Sequence, residues 1–499
     1  MKSNLRLDTK LIFEKTGSGK RAWLLPSTRV PDGFISQNIK PGQLRQSPLN
    51  FPELAEIDVI RHYTELSSRN YGVDTNFYPL GSCTMKYNPK INEDLAALSD
   101  FLQIHPLLPE KMVQGTLGIL YELEQHLIEI SGMDAFTLQP AAGAQGELTG
   151  LFILKKYLES VGQANRIQIL IPSSAHGTNP ASASMAGFET LTVRCNDDGL
   201  VDIDHLKSLL NSATAGLMLT NPNTLGLFER SITTVADLVH RSGGLLYYDG
   251  ANLNAIMGLI RPGDMGFDIM HLNLHKTFAA PHGGGGPGAG PVGVKDFLAK
   301  FLPYPVVQKN GPGYSWDYDR PFSIGKIHGF YGNVGVAIKA LMYIRAMGAD
   351  GLAQVSRDAI LNANYLQSKL KQYFRLPYPQ FCMHEFVISA ANLKKSHQIS
   401  ALHIAKRLLD FGIHPPTIYF PLIIEEALMI EATETESLET LDRFIEMMVD
   451  LYHEAIHSPE IVTTAPHRTL ISKVDETLAA RNPKLRWHAE ISNHPDMGK

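Results

Sequence analysis

The sequence predicts an α/β protein whose large domain is built on a mostly parallel β-sheet, with a smaller α/β domain toward the C-terminus. Between about residues 110 and 275, short apolar segments of strand length alternate with helical patterns. This alternation is typical of a parallel sheet covered by helices on both faces. The 499 residues also exceed the roughly 250–300 residues that one hydrophobic core normally holds. A large domain with smaller satellites is therefore expected.

The predicted elements follow one another in a regular order. Helices are predicted at 52–69, 109–131, 143–160, after Asn179, from Ile203, at 231–243, 334–347, 351–373, from Ser400, at 436–457 and within 473–481. Strands are predicted at 134–140, 166–172, 189–194, 216–220, 244–249, 268–274, 386–392 and 427–432. The predicted domains are 1–90 (an irregular arm, a helix and an active-site loop), 91–329 (the large domain), 330–457 (the small domain) and 458–499 (a tail).

Composition and charge exclude several classes of protein. The net charge is −5 and the mean hydropathy −0.08, so nothing favours binding to nucleic acid or to an anionic membrane. No apolar run reaches the ~18 residues of a membrane span, and the N-terminus lacks the apolar core of a secretory signal. Cys83, Cys195 and Cys382 are far apart, without the spacing of a metal site or a disulfide framework. We therefore predict a soluble cytoplasmic protein.

The most informative segment is HLNLHKTFAAPHGGGGPGAGPVGV, at 271–294. An apolar strand ends at His275 and Lys276, and four consecutive glycines follow soon after. Such a run loses much backbone entropy on folding and is expected only where the chain needs unusual dihedral angles or a close approach. Ligands bind at the carboxyl ends of the strands in such sheets, and a lysine amine removed from water can condense with an aldehyde. A lone lysine would be interpreted as a surface residue; the glycines favour a functional one.

A second segment, LLYYDGAN, places Asp249 at the end of another strand. An aspartate at this position could instead cap a helix or bind a metal ion. No histidine or carboxylate stands beside it at ligand spacing, so we predict no metal. A carboxylate that accepts the N–H of a pyridine ring keeps the ring cationic, and a cationic ring is an electron sink for a carbanion.

Three further segments end predicted strands with polar or small residues. In QPAAGAQGELTGL, residues Gly143, Ala144 and Gln145 open a helix, whose free N–H groups and dipole suit a phosphate. His176, two residues before Thr178, follows a strand where an imidazole could stack on a flat ring; a structural histidine is the simpler alternative. Asn221 follows another strand, where its amide could reach a phenolic oxygen or form a turn before proline. Together these residues predict a pyridoxal phosphate enzyme, with Lys276 as the Schiff-base lysine.

The chain also resembles a known family in segments that run in order between residues 67 and 487. They are SRNYGVDTNFYPLGSCTMKYNPKINE, LQPAAGAQGELTGL, HGTNPASASMAGF, YYDGANLNAI, HLNLHKTFAAPHGGGGPGAGPVGV and DETLAARNPKLRW. These segments resemble the glycine decarboxylase (P-protein) of the glycine cleavage system, in particular subunit 2 of organisms that split the enzyme. The resemblance implies the fold of PLP-dependent transferases (fold type I).

The resemblance also implies roles for particular residues. It makes Lys276 the lysine that carries pyridoxal 5'-phosphate, His176 the ring that stacks on the cofactor, and Asp249 the partner of the pyridine nitrogen. The catalytic residues are then Lys276 and His176. The predicted cofactor-binding residues are Lys276, Asp249, His176, Ala251, Gly143, Ala144, Gln145, Thr178, Asn221 and His275.

The activity implied is PLP-dependent decarboxylation of glycine. Carbon dioxide is released, and the aminomethyl group passes to the lipoyl arm of H-protein. Selectivity for glycine would come from a pocket too tight for a β-carbon. The implied partners are glycine decarboxylase subunit 1, in a heterotetramer, and lipoylated H-protein. Three segments depart from the family pattern. Ala279 and Ala280 stand where Ser-Thr is expected after LHKTF, and EATETES and KVDE also differ from the family sequences expected at their positions. None of these positions carries an assigned role.

Three alternatives compete with this interpretation. Another enzyme of the same fold, such as a different amino-acid decarboxylase or a cysteine desulfurase, is the nearest; a desulfurase needs a mobile loop cysteine, which neither Cys195 nor Cys382 provides convincingly. A non-catalytic subunit is disfavoured by the retained lysine. A nucleotide-binding module is disfavoured because the glycine run follows Lys276 instead of opening a helix after a strand.

Overall fold

A computed structural model describes residues 10–21, 26–27, 29–31, 33–47, 49, 51–285 and 288–486. The first nine residues lie outside the described residues, and the predicted absence of a secretory signal rests partly on them. Gly286 of the glycine run also lies outside. The chain divides into two compact units: Met1–Gly72 with Pro466–Lys499, and Val73–Ala465. The predicted domain boundaries at 90, 329 and 457 stay predictions.

The α-helices are α1 (Phe34–Asn38), α2 (Glu56–Ser67), α3 (Lys90–Ala96), α4 (Ser99–Leu102), α5 (Gln114–Ser131), α6 (Gly143–Ser160), α7 (Thr178–Met185), α8 (Ile203–Leu209), α9 (Ile232–Arg241), α10 (Val334–Leu370), α11 (Ala391–His397), α12 (Ala401–Asp410), α13 (Leu438–His457), α14 (Pro459–Thr463) and α15 (Glu476–Arg481). The 3-10 helices are Ile12–Lys15, Pro41–Gln43, Glu110–Met112, Pro262–Met265, Gly283–Gly285 and Asp296–Phe301. No helix in these described ranges is long and apolar enough to cross a membrane.

The strands are β1 (Ala135–Thr137), β2 (Gln168–Pro172), β3 (Glu189–Val193), β4 (Thr214–Leu219), β5 (Leu245–Gly250), β6 (Ile269–Leu272), β7 (Val292–Val294), β8 (Val306–Asn310), β9 (Gly313–Asp317), β10 (Glu385–Ser389), β11 (Thr417–Ile418) and β12 (Ala427–Glu431).

Seven strands form the large sheet, in the order β1-β7-β6-β5-β4-β2-β3. The neighbours from β6 through β3 are parallel, and β7 runs antiparallel to both β6 and β1. Every residue of β4 and β5 is buried, as expected for central strands covered on both faces. This confirms the predicted mostly parallel α/β fold.

Alternate residues of the central strands contact different helices. Leu246 and Tyr248 belong to a core with helices α5, α9 and the first half of α10. Leu245 and Tyr247 belong to a second core with α6, which contributes Leu151 and Leu154. Because side chains of a strand alternate between faces, the two cores lie on opposite sides of the sheet. The carboxyl ends of β2, β4, β5 and β6 are left free to bind a ligand.

A second sheet has three antiparallel strands in the order β10-β12-β11. Its core is filled by apolar side chains from the second half of α10, α12 and α13, together with Phe77 from the irregular segment before β1. Gly348, at φ 62°, divides α10 into two helices, so the prediction of separate helices at 334–347 and 351–373 is confirmed. The helices and strands that the sequence predicts between residues 330 and 457 are thus present in this second sheet and its helices.

Sequence patterns missed or misplaced several elements. Strand β7 and the hairpin β8–β9 were not predicted, because a three-residue strand inside a glycine-rich segment has no measurable period. The strand predicted at 386–392 ends at Ser389, and Ala391 begins helix α11. The helix predicted from Pro109 begins at Gln114, after a 3-10 turn and the non-helical Val113.

Phe444 tests the packing of the smaller core. It is fully buried, and its ring meets that of Phe77 edge-to-face at 5.0 Å. We predict that Phe444→Ala lowers the free energy of unfolding by about 3–5 kcal/mol, because it loses apolar burial and leaves a cavity. Phe381→Ala, at a side chain 89% exposed, should change it by less than about 0.5 kcal/mol. Urea unfolding measures both; equal effects would contradict the assigned core.

Candidate active site

A cleft opens at the carboxyl edge of the large sheet. Its volume is about 620 Å³, including solvent at its mouth. The residues that line it come from both sheets and from the segment before α3. They are Ser82, Gly143, Ala144, Glu147, His176, Thr178, Thr220, Pro222, Thr224, Asp249, Ala251, Asn252, His271, Asn273, Lys276, His384 and Glu385.

Asp249 is held at the end of β5 by three groups. Its Oδ2 accepts a hydrogen bond from Asn179 Nδ2 at 2.8 Å, and its Oδ1 accepts one from Ala251 N at 3.1 Å. His271 Nε2 approaches Oδ1 to 3.3 Å. Burial alone would raise the pKa of Asp249, but His271 and the two donors outweigh it and hold that pKa below its usual value. Asp249 is therefore ionised.

Glu147, on the first turns of α6, is the second carboxyl group of this site. Its Oε1 accepts from Thr178 Oγ1 and its Oε2 from Ser182 Oγ, both at 2.7 Å. Burial, reinforced by the negative charge of Asp249, raises the pKa of Glu147 to about 7. The two neighbouring carboxyls thus differ in pKa, and Asp249 is the one that more readily keeps its charge.

His176 is positioned by Thr178 at the start of α7. Thr178 N donates to His176 Nδ1 at 3.2 Å, and the Thr178 hydroxyl lies 2.8 Å from the same nitrogen. Because Nδ1 accepts from the backbone, the proton of the neutral ring belongs on Nε2. Burial lowers the pKa of His176, which favours the neutral ring, and the ring meets Phe420 edge-to-face.

Lys276 follows β6 by four residues and lines the cleft. Its Nζ donates a hydrogen bond to Ser82 O at 2.8 Å. Ser82 has a left-handed backbone, at φ 65°, and its own N–H donates to Glu385 Oε2 at 2.7 Å. The lysine amine is therefore held by the segment before α3, and not directed into bulk solvent.

The first turn of α6 forms one wall of the cleft. Gly143 and Ala144 line it, at a helix end where N–H groups lack intrahelical partners. A Cβ on Gly143 would lie 2.3 Å from Asn273 Oδ1, so only glycine fits beside that amide. Asn273 Oδ1 is buried without a hydrogen-bond partner. This wall of the cleft therefore presents both the free backbone N–H groups of the α6 N-terminus and the unpartnered acceptor Asn273 Oδ1.

The structure brings seven of the predicted site residues to the cleft: Gly143, Ala144, His176, Thr178, Asp249, Ala251 and Lys276. Three others direct their side chains elsewhere. Asn221 Oδ1 accepts from Glu229 N at 2.8 Å and is buried, so its amide stabilises a turn. Gln145 contacts Ala141 N and Ile327 O. His275 packs edge-to-face against His282.

Sequence reasoning missed Glu147, His271, Asn273, Ser82, His384 and Glu385 as lining residues. No histidine or carboxylate stands at ligand spacing beside Asp249 in the sequence, but His271 and Glu147 reach it from β6 and α6, which the spacing did not predict. One available signal was the glutamate in GELTGLFIL, the single charged residue in the first half of its predicted helix. Another was His271 within a strand whose residues are all buried.

Two groups in the described chain bring acid and imidazole side chains within metal-binding reach. They are Glu147, Asp249 and His271, and His384, Glu385 and Glu431. In the first group the carboxylate oxygens already accept hydrogen bonds from neighbouring side chains and from the backbone. We therefore interpret the first group as a hydrogen-bonded network, and the prediction of no metal stays a prediction.

Comparison with known proteins identifies close relatives. Residues 355–470 match the family model described as the C-terminal domain of glycine dehydrogenase. The chain is 58% identical, over 96% of its own length and 98% of the relative's, to a probable glycine dehydrogenase (decarboxylating) subunit 2 of Caldanaerobacter subterraneus subsp. tengcongensis. A relative of the same description from Halalkalibacterium halodurans is also 58% identical, with the same coverage.

Solved structures show the same fold at low sequence identity. A glycine decarboxylase (P-protein) of the glycine cleavage system, in inhibitor-bound form, superposes with a TM-score of 0.71 at 20% identity, covering 86% of this chain and 100% of that one. Lactobacillus brevis glutamate decarboxylase gives 0.64 at 14% identity, covering 83% and 96%. These matches confirm the predicted fold type I architecture. With relatives 58% identical along almost their whole length, the chain belongs to the family of glycine dehydrogenase (decarboxylating) subunit 2.

Proposed function

We propose that this chain is the pyridoxal phosphate-binding, decarboxylating subunit of glycine decarboxylase. It would release carbon dioxide from glycine and transfer the remaining aminomethyl group to the lipoyl arm of H-protein, with subunit 1 as its partner in a heterotetramer. The observation that carries the proposal is the cleft shared by the Lys276 amine and the buried, ionised Asp249. The family of its relatives supports the choice of glycine.

The residues of the cleft fit pyridoxal phosphate. Lys276 offers the amine that would hold its aldehyde carbon, and Asp249 offers a charged acceptor for its ring nitrogen. Gly143 and Ala144 would hold the phosphate at the N-terminus of α6, where the helix dipole favours an anion. The unpartnered Asn273 Oδ1 marks a polar group whose partner would come from outside the chain. When bound, this cofactor supplies an electron sink for the bond that breaks.

The chain's own residues would prepare that sink. Asp249 would hold the ring nitrogen in its protonated form, because its charge is stabilised by Asn179, Ala251 and His271. Glu147 accepts a hydrogen bond from Thr178, and Thr178 in turn fixes the orientation of His176. His176 would cover one face of the ring.

The cleft also suits loss of a carboxylate. Apart from Lys276 and histidines, the lining residues of the described chain include no cationic side chain. A fixed guanidinium would stabilise the substrate carboxylate in the ground state and raise the barrier to its loss. Without one, the carboxylate can leave as neutral carbon dioxide, and its electron pair would remain for the electron sink that the cofactor would supply. This arrangement supports decarboxylation over reactions that retain the carboxylate.

Lys276→Ala tests the cofactor assignment. We predict that this variant lacks the visible absorbance of the bound cofactor, because no other amine is placed to hold it, and that it does not exchange bicarbonate with the glycine carboxyl. In the unmodified chain, borohydride should fix the cofactor to the peptide that contains Lys276. Lys309→Ala, at an exposed lysine of β8, is the matched control. Full exchange by Lys276→Ala would refute the assignment.

Asp249→Asn tests the electron sink separately from cofactor attachment. The variant should still attach the cofactor through Lys276, but its exchange rate should fall roughly 10²–10³-fold, because a neutral amide no longer stabilises the developing charge. Asp237→Asn, at an exposed residue of α9, should exchange normally. A rate for Asp249→Asn equal to that of the unmodified chain would show that the carboxylate plays no part in the chemistry.

A further inference from the structure

Glu385 lines the same cleft but comes from the three-stranded sheet. It is the first residue of β10 and only 3% exposed. Its Oε2 accepts from Ser82 N at 2.7 Å, while Ser82 O accepts from Lys276 Nζ at 2.8 Å. The Glu385 carboxyl group and the Lys276 amine therefore bind the N–H and the carbonyl oxygen of the same residue, Ser82. Both groups lie in the cleft where the reaction would take place.

Only one oxygen of Glu385 is engaged by a donor. Its Oε1 lies 3.7 Å from His384 Nε2, which is beyond hydrogen-bond distance. Neighbouring Glu431 accepts from both Thr84 N and Asn252 Nδ2, at 2.8 Å each. Burial, and then the nearby Glu431, raise the pKa of Glu385 well above its usual value. The protonated form of Glu385 is therefore favoured, on a carboxyl group that faces the cleft.

The other cleft carboxyl with a raised pKa, Glu147, is placed differently. Both oxygens of Glu147 already accept hydrogen bonds from hydroxyl groups, those of Thr178 and Ser182. These contacts lie at the α6–α7 side, where Glu147 supports His176. Glu385 is thus better placed to give its proton to a reacting group.

The second half of the proposed reaction needs a proton donor. When carbon dioxide leaves, the electron pair of the broken C–C bond forms a new C–S bond to one sulphur of the carrier's disulfide. The S–S bond breaks, and its electron pair goes to the other sulphur. The carbon is oxidised and the disulfide is reduced. The departing sulphur needs one proton, because a free thiolate in a low-dielectric cleft is costly.

We propose that Glu385 is a further catalytic residue, the proton donor to the sulphur that leaves when the lipoyl disulfide is opened. The inference rests on the proposed function, because it assigns a residue to the transfer half-reaction. Glu385 becomes a carboxylate in this step and regains its proton from solvent when the cleft opens. The role is confined to transfer, since loss of carbon dioxide itself requires no proton donor.

Glu385→Gln separates this role from a structural one. Glutamine keeps an oxygen that can accept from Ser82 N, but it has no acidic proton. Transfer of the aminomethyl group to oxidised lipoyl H-protein should fall about 10²–10⁴-fold, the usual contribution of a general acid. Exchange of bicarbonate with glycine and the cofactor absorbance should persist. The full chain without cofactor supplies an independent readout: at neutral pH, the infrared difference between the two proteins should contain the carbonyl band of a protonated carboxyl group.

Glu436→Gln is the matched control. Burial also raises the pKa of Glu436, to about 7, but this residue lines a different cavity, so both half-reactions should be unchanged. Normal transfer by Glu385→Gln, or an infrared difference without the protonated-carboxyl band, would overturn the proposal. Loss of exchange and of absorbance along with transfer would also overturn it, by showing a structural role. Absence of exchange in the unmodified chain assembled with subunit 1 would instead refute the proposed function.

Discussion

Asp249 must keep a negative charge in a buried site that also holds a second carboxyl group, and the rest of the site is arranged around this requirement. Burial opposes the charge. The amide of Asn179, the N–H of Ala251 and the nearby His271 ring compensate for it. Burial and the charge of Asp249 raise the pKa of Glu147 to about 7. Two neighbouring carboxyls with different pKa values can then take different roles, one as an anion and one as a hydrogen-bonding support.

The second constraint is that the lysine amine depends on both sheets. Lys276 follows β6 of the large sheet, but its partner Ser82 belongs to a segment that packs on the small sheet. Leu80 pairs with Ile430 in β12, and Gly81 lies so close to that strand that a Cβ would approach Met429 Cγ to 2.3 Å. Ser82 and Thr84 adopt left-handed conformations, and buried Glu385 and Glu431 accept from their N–H groups. The active-site loop predicted before residue 90 therefore connects the two sheets at the site.

What could be predicted from sequence follows from local pattern. Asp249 lies at the end of a recognisable strand and Lys276 and His176 follow such strands by four residues, so the rule that ligands bind at strand ends was enough to predict them as neighbours. Glu147 and Glu385 reach the cleft by tertiary contacts with residues far away in the chain, and no spacing rule encodes such contacts. Asn221 shows the opposite failure: its position after β4 suggested a ligand contact, but Glu229 occupies its side chain. The rule that ligands bind at strand ends predicts where a residue lies in the sheet. It does not predict which neighbouring group forms a hydrogen bond with its side chain.

An ionised Asp249 should keep the ring nitrogen of the bound cofactor protonated. Nitrogen-15 NMR of the protein reconstituted with cofactor labelled at that nitrogen measures the protonation state directly. We expect the chemical shift of a protonated pyridine nitrogen at neutral pH, and its change toward the unprotonated value in Asp249→Asn. An unprotonated nitrogen in the unmodified protein would show that Asp249 does not have this role.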